Sequence, residues 1–504
     1  MAKRKRDDVG EASKQQNGKS KRQGAVTAAT SSPAAFPTTI QIITGSYERV
    51  LHGVTATIPS NAFDVSSTNT SDVKFADTFL FNAHASAIRC LALSPPSASS
   101  DAQAEKVILA SGSSDERINL YQLSATPPKA GAKPALPSLV GNTVTENPKN
   151  RELGSLLHHS SSISGLYFPT HSKLMSSSED NTIAISRTRD WTVLSTIKAP
   201  IPKPVGRPSG DTAAPGEVPA GINDFAVHPS MKLMVSVSKG ERCMRLWNLV
   251  TGKKAGVLSF EKELLQQVGE GRHSSGEGRR VEWDAEGDEF VVGFERGAVV
   301  YGMGSKPRAR ILPTPITKIH QMHYVPDTEM NVLAVSTEDG RILFFPTAPV
   351  HDKPSETRLV PGCTAIAQLG GMAVGLSGRV KDFEILRPPW KEEPANTHFF
   401  IITGSSDGAI RVWLMSVDDL FPSAEESTAQ QEPSETNTTS NQPPINGIAA
   451  AKQVARLLAT YESGNRITCL KSFIMTGTDQ ETGTGEADGI EDGGNSSSSS
   501  DDSE

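Results

Sequence analysis

Cysteine is scarce: 504 residues hold four, Cys90, Cys243, Cys363 and Cys469, all in strand-like runs and none in a CxxC pair. That argues against a disulfide framework or a zinc knuckle and for buried thiols in a reducing compartment. Long apolar runs are also missing. No stretch approaches the roughly 20 residues of a membrane-spanning helix, and the first residues lack a signal-peptide core. The expectation is a soluble intracellular chain with no membrane partner. The local marks of chemistry are absent too. There is no nucleophile elbow, no HExxH and no carboxylate pair in a catalytic context, and two GEGR pieces in a polar insertion lack the Lys-Ser/Thr of a phosphate loop. The DAEGDE turn at 284–289 lacks the further ligands of a calcium loop. No enzyme, cofactor, metal or small-molecule substrate is therefore expected.

What is present is one pattern, repeated. IITGSSDGAIRVW (401–413) reads as two short strands around a small-residue turn that carries an acid, Asp407, and ends in Trp413. ILASGSSDERINLY (108–121) repeats it with Asp115 and Tyr121, and VLAVSTEDGRILFF (332–345) with Asp339 and Phe345. Weaker copies carry Asp180 and Ser186, Glu241 and Trp247, Glu295 and Tyr301, and Glu48 with Gly53 in the aromatic place. Seven such hairpins predict an all-β fold, a seven-bladed WD-repeat β-propeller of four-stranded blades. The acids stand 44 to 68 residues apart, wider than the usual ~40–45, so the repeats must carry insertions. Those near 125–150, 199–221 and 416–447 are rich in Pro, Ser, Gly and Thr and are expected to be disordered.

His84 and His159 each stand four residues before an isoleucine, Ile88 and Ile163, that opens a strand. Both read as structural members of a His, Ser, Asp and aromatic set, with Ser111 or Ser113 completing the first and the set decaying in other blades. The first hairpin begins at Ile40 with no innermost strand before it, while NRITCLKSFIM near the C-terminus is a strand with no blade of its own. Residues 466–474 are thus expected to complete the blade begun by residues 40–82, closing the propeller over 40–476. Residues 1–39 form a basic tail and 477–504 an acidic, Ser-rich one. Residues 1–24 carry a net +5, residues 477–504 a net −9, and the body is left with −3 of the overall −7.

ITGSYERVLHGV, FADTFLFNAHASAIRCLALS, LASGSSDERINLY, HHSSSISGLYF and SGRVKDFEIL together resemble the family of the p21-activated-kinase-interacting WD-repeat protein, whose fungal members are of the maintenance-of-killer (Mak-eleven) type. The likeness runs from about 40 to 415 plus the closing strand. It implies a nucleolar assembly factor for the large ribosomal subunit, working with pre-ribosomal particles, ribosomal proteins, other assembly factors and rRNA. In animals it implies a second association, negative regulation of the kinase. Neither role is read from composition or spacing.

Three further expectations come from the residues. The clusters Lys3, Arg4, Lys5, Arg6 and Lys19, Lys21, Arg22 suit nuclear import or nucleic-acid contact, beside the plainer reading of a solvated tail. Ser498 and Ser499 each lie three residues before an acid, a pattern that acidophilic kinases favour. Arginine follows the hairpin acid in five blades, at Arg49, Arg117, Arg242, Arg296 and Arg341, which on a propeller would form a positive ring about one mouth of the channel. Guanidinium groups there would dock phosphate or an acidic peptide. The plainer reading is a soluble turn residue balancing its neighbour.

Overall fold

The computed structural model describes residues 37–63, 73–95, 106–127, 147, 149–202, 220–328, 330–348, 360–376, 378–388, 398–421 and 451–476. The two import clusters, Ser498 and Ser499, and most of the three long insertions lie outside these residues.

The described strands form seven sheets, each built on four antiparallel strands that in six of them follow in chain order from innermost to outermost. The innermost strands are Ile88–Leu93, Ile163–Thr170, Ile222–Val227, Arg280–Trp283, Ile319–Tyr324, Val380–Leu386 and Ile467–Ile474. Each touches the next, and the last touches the first, so the sheets close into a ring. The fold is a seven-bladed β-propeller.

The closing blade combines both ends of the propeller. Thr38–Ser46 pairs on one side with Val50–Ile58 and on the other with Ile467–Ile474, in a register that sets Ile40 against Ile474 and Thr44 against Leu470. Its side chains alternate between two neighbours, as the period-2 pleat requires. Ile40 and Ile42 pack with Phe400, Ile402 and Val412 of the sixth blade, while Ile43 and Leu51 pack with Ile88, Leu109 and Tyr121 of the first. All nine residues of Thr38–Ser46 are buried, because both sheet faces meet another sheet. Polar ties cross the same seams. The Thr468 hydroxyl lies 2.9 Å from the Gly45 carbonyl oxygen and 2.6 Å from that of Ile88. On the sixth-blade side the Tyr461 hydroxyl donates to Asp77, which also bonds His52 at 2.8 Å.

The absent aromatic at Gly53 has a structural answer. A Cβ at Gly53 would lie 2.3 Å from the ring of Phe79, which comes from the neighbouring strand Lys74–Asn82 and fills the space itself. Two sheets gain a fifth strand: Gly362–Cys363 pairs in parallel with Pro307–Ile311, and Lys452–Gln453 with Ala367–Gly370. Both cover outer edges that would otherwise present unpaired backbone. The insertion read as merely polar, which holds the GEGR pieces, is also a packed element. A helix at Lys262–Gln267 precedes it and buries Leu264, Leu265 and Val268 against Phe294 and Val299. Glu270 is buried too, accepting from the Glu295 backbone amide at 2.8 Å.

Candidate docking face and channel

Because every blade runs in the same order, the turns between its second and third strands all fall on one end of the ring. The loops that lead into the innermost strands fall on that same end. His84 lies in such a loop and reaches across to its hairpin turn. Its Nδ1 is 3.2 Å from the Asp115 carboxylate and its Nε2 2.8 Å from Ser111 Oγ. Ser113 takes no part in this set; its hydroxyl donates to the Ala87 carbonyl instead. The second blade repeats the geometry, with His159 bonded to Asp180 at 3.1 Å and Ser176 at 2.8 Å. The set is thus as well formed here as in the first blade, although Ser186 stands in the aromatic place and its buried hydroxyl finds no partner among the described residues. Sequence distance hid this, since the missing aromatic does not disturb the other three groups.

Elsewhere the acid finds other work. Asp339 bonds Arg341, Asp407 caps its own turn at the Ala409 amide, and Glu241 pairs with the buried Arg245. Trp247 and Trp413 donate from Nε1 to Ser236 and Thr403 at 2.8 and 3.4 Å. Asp284 of the DAEGDE turn accepts from the Gly287 and Glu289 amides, a turn-closing role.

Burial pushes His84 below the ordinary imidazole value, opposed by Asp115. Asp115 is held low: burial raises it, but the Ala85 and Arg117 amides and His84 outweigh that. A His84→Ala, Asp115→Ala cycle measured by denaturant unfolding is expected to give a coupling of about 1–3 kcal/mol. Additive losses would show that the contact contributes no stability of its own.

Two other imidazoles stay neutral in the fold. Burial, then His159, lowers His158 to about 4, and burial, then Lys381, lowers His320 to about 4. In the unfolded chain both protonate near pH 6.5. The unfolded state therefore binds more protons from about pH 6.5 down to 4, and stability falls as pH falls through that window. The melting temperature is expected to drop between pH 7 and 4.5, with a shallower drop in a His158→Gln, His320→Gln variant. An unchanged slope would contradict the assignment.

The five hairpin arginines lie on the shared end but separate into two kinds. Arg242 donates to the Ser275 and Ser274 carbonyls at 2.8 and 2.9 Å, and Arg341 to Asp339 and the Thr314 carbonyl. Both are thus held by groups within the protein. Arg49, Arg117 and Arg296 are exposed, with no side-chain hydrogen bond or ion pair among the described residues. None of the five is innermost, since the turns stand one strand back from the channel. The cations nearest the axis are others: Arg89, Arg280, Lys381 and Lys471 line a cavity in the channel neck. Lys318, Arg379 and Arg466 stand just before innermost strands at its mouth. The mouth also holds acids, with Glu179 between Arg89 and Lys239, and Glu295 between Arg279 and Lys318. Sequence reading missed this inner set because each member comes from a different repeat. The available signal was a cation next to the first apolar residue of an innermost strand, as in Ile88-Arg89, Val380-Lys381 and Arg280-Val281.

The four thiols carry no disulfide. Burial pushes Cys90 up to about 12 and Cys363 to about 11, so both remain protonated and poor nucleophiles.

Comparison with known proteins agrees with this architecture. The WD domain, G-beta repeat model matches residues 76–122 and 150–185. Each match begins in the outermost strand of one blade and runs through three strands of the next, so successive repeats interlock. The chain is 28% identical over 400 residues to Protein MAK11 of Saccharomyces cerevisiae, covering 75% of this chain and 78% of that one. It is 23% identical over 442 residues to a p21-activated protein kinase-interacting protein 1-like protein of Xenopus laevis, covering 88% and 84%. Over a shorter stretch of 198 residues it is 27% identical to p21-activated protein kinase-interacting protein 1 of Homo sapiens.

Proposed function

We propose, from the premise that this chain matches the WD-repeat family of Protein MAK11 and the p21-activated protein kinase-interacting proteins, that it is a non-catalytic scaffold in assembly of the large (60S) ribosomal subunit. It works in the nucleus and nucleolus, where it supports rRNA maturation by holding assembly factors, ribosomal proteins or rRNA. The observation that carries this reading is the similarity to Protein MAK11 over three quarters of both chains. The family supplies the role, and the fold alone does not. The candidate surface is the end of the ring on which Arg49, Arg117 and Arg296 stand exposed, with no side-chain partner among the described residues.

Sedimentation of cell extract on a sucrose gradient tests the proposal. Comigration with large-subunit precursors is expected. A purely free pool would overturn it and favour the other role that the relatives' names suggest, binding of a p21-activated kinase. The basic tail gives a second test. Replacing residues 1–24 by a foreign import signal should restore nucleolar location and particle association together if the tail serves import. Recovered location with weak, salt-sensitive association would instead assign rRNA contact to the tail. Arg49→Ser, Arg117→Ser and Arg296→Ser together should leave the melting temperature unchanged and reduce comigration. Full comigration of the folded variant would return these residues to a plain turn role.

A further inference from the structure

Cations from four blades meet at the neck of the central channel. Arg89, Arg280, Lys381 and Lys471 line a cavity of about 120 Å³ with Asp224, Asp382, Gln321 and Thr468. That space holds a few waters at ~30 Å³ each, or one tetrahedral anion. Lys471 is satisfied by Glu384, and Arg89 reaches Glu179 at 3.2 Å on the mouth side. The two lining carboxylates are engaged by backbone: Asp224 accepts from the Phe225 and Val281 amides at 2.9 and 3.0 Å, and Asp382 from those of Phe383 and Leu470 at 3.0 and 2.8 Å. Arg280 makes one long bond from Nε to the His320 carbonyl, at 3.3 Å.

Lys381 is half-buried and has no hydrogen bond or ion pair among the described residues. We infer that this neck is an anion site, in which Lys381, Arg280 and Arg89 converge on one phosphate group entering from the mouth of the channel. Charged donors in a partly desolvated cavity make the short, strong bonds that phosphate oxygens accept. Two features support the assignment. His320, beside the neck, keeps a buried Nε2 without a partner among the described residues, and burial, then Lys381, hold it neutral against the opposing Glu338. Lys381 itself is lowered, by burial first and then by Arg379 and Arg466, with Glu338 opposing them. A half-buried ammonium without a hydrogen-bond partner is stabilised by an anion that joins it. The group would be a free phosphate-type anion or a phosphate of an RNA strand laid across the mouth. This inference is independent of the proposed ribosomal role.

The full chain is titrated with inorganic phosphate and with pyrophosphate at constant ionic strength made up with chloride, following heat of binding and melting temperature. Saturable binding with a raised melting temperature is expected, weakened at least tenfold in Lys381→Gln and in Arg280→Gln. Without phosphate, Lys381→Gln should melt at or above the wild-type temperature, since it removes a charge that burial disfavours. A lysine placed only for structure would lower it. A single-stranded RNA oligonucleotide then identifies the source. Displacement of RNA by pyrophosphate, with the same loss in Lys381→Gln, assigns the site to an RNA phosphate; RNA binding indifferent to both assigns it to the small anion. No saturable binding of either inorganic anion, or equal binding by wild type and Lys381→Gln, would overturn the inference.

Discussion

Deleting every residue after Ser463 is expected to yield an aggregating or rapidly degraded chain, whereas deletion from Gly477 onward should leave thermal melting at the wild-type value. The first cut removes Ile467–Ile474, the innermost strand of the closing blade and the only ladder partner on that side of Thr38–Ser46. Ile467 and Leu470 are fully buried, and losing two such side chains alone costs about 3–6 kcal/mol. A whole domain is commonly stable by only ~5–15 kcal/mol. The cut also removes Thr468 from the seam with the first blade and bares the edge of a buried apolar strand, an invitation to pair with another chain. The second cut leaves every described strand in place. Equal stability of the two truncations would show that the ring does not depend on its C-terminal strand.

A single added methyl group should have the next largest effect. Gly297 sits in the fourth-blade hairpin turn, where a Cβ would stand 2.4 Å from the Val268 carbonyl oxygen and 2.9 Å from that of Ile311. Both obstacles are backbone, one at the end of the helix Lys262–Gln267 and one in Pro307–Ile311, so neither rotates aside. Gly297→Ala is expected to cost about 3 kcal/mol, at the upper end for overpacking. Gly304→Ala, where nothing lies within 4 Å of the added carbon, should change stability by less than about 0.5 kcal/mol. Denaturant midpoints of the two variants decide this. Similar midpoints would mean that the helix and turn pack more loosely than described.

The hairpins were legible in the sequence because a period-2 apolar pattern and a turn acid are local signals, each contained in about a dozen residues. Closure was legible from arithmetic of a simpler kind, a blade without an innermost strand and a strand without a blade. The elements that escaped depend on neighbours in space. A helix of six residues such as Lys262–Gln267 completes too few turns to show a 3.6 period. Phe79 replaces the aromatic missing at Gly53 from another strand, and Gly362–Cys363 and Lys452–Gln453 join the sheet of the preceding blade rather than their own. The channel neck gathers Arg89, Arg280 and Lys381 from three blades, and no motif links them along the chain. The hairpin arginines show the converse limit. Their recurrence was plain, yet sequence had no means of separating Arg242 and Arg341, bound to carbonyls and an acid, from the three that have no side-chain partner among the described residues.

The central claim is that one end of a closed ring serves as the docking face on a large-subunit precursor, and lysine reactivity tests it most directly. Lys239 and Lys318 lie on the end that carries the hairpin turns, while Lys173 and Lys232 lie at the opposite end, in or beside the links from first to second strands. Amine labelling of the free chain and of the chain in purified precursor particles, read residue by residue by mass spectrometry, should show Lys239 and Lys318 protected in the particle and Lys173 and Lys232 unchanged. Protection confined to Lys173 and Lys232, or equal labelling of all four in both states, would contradict it.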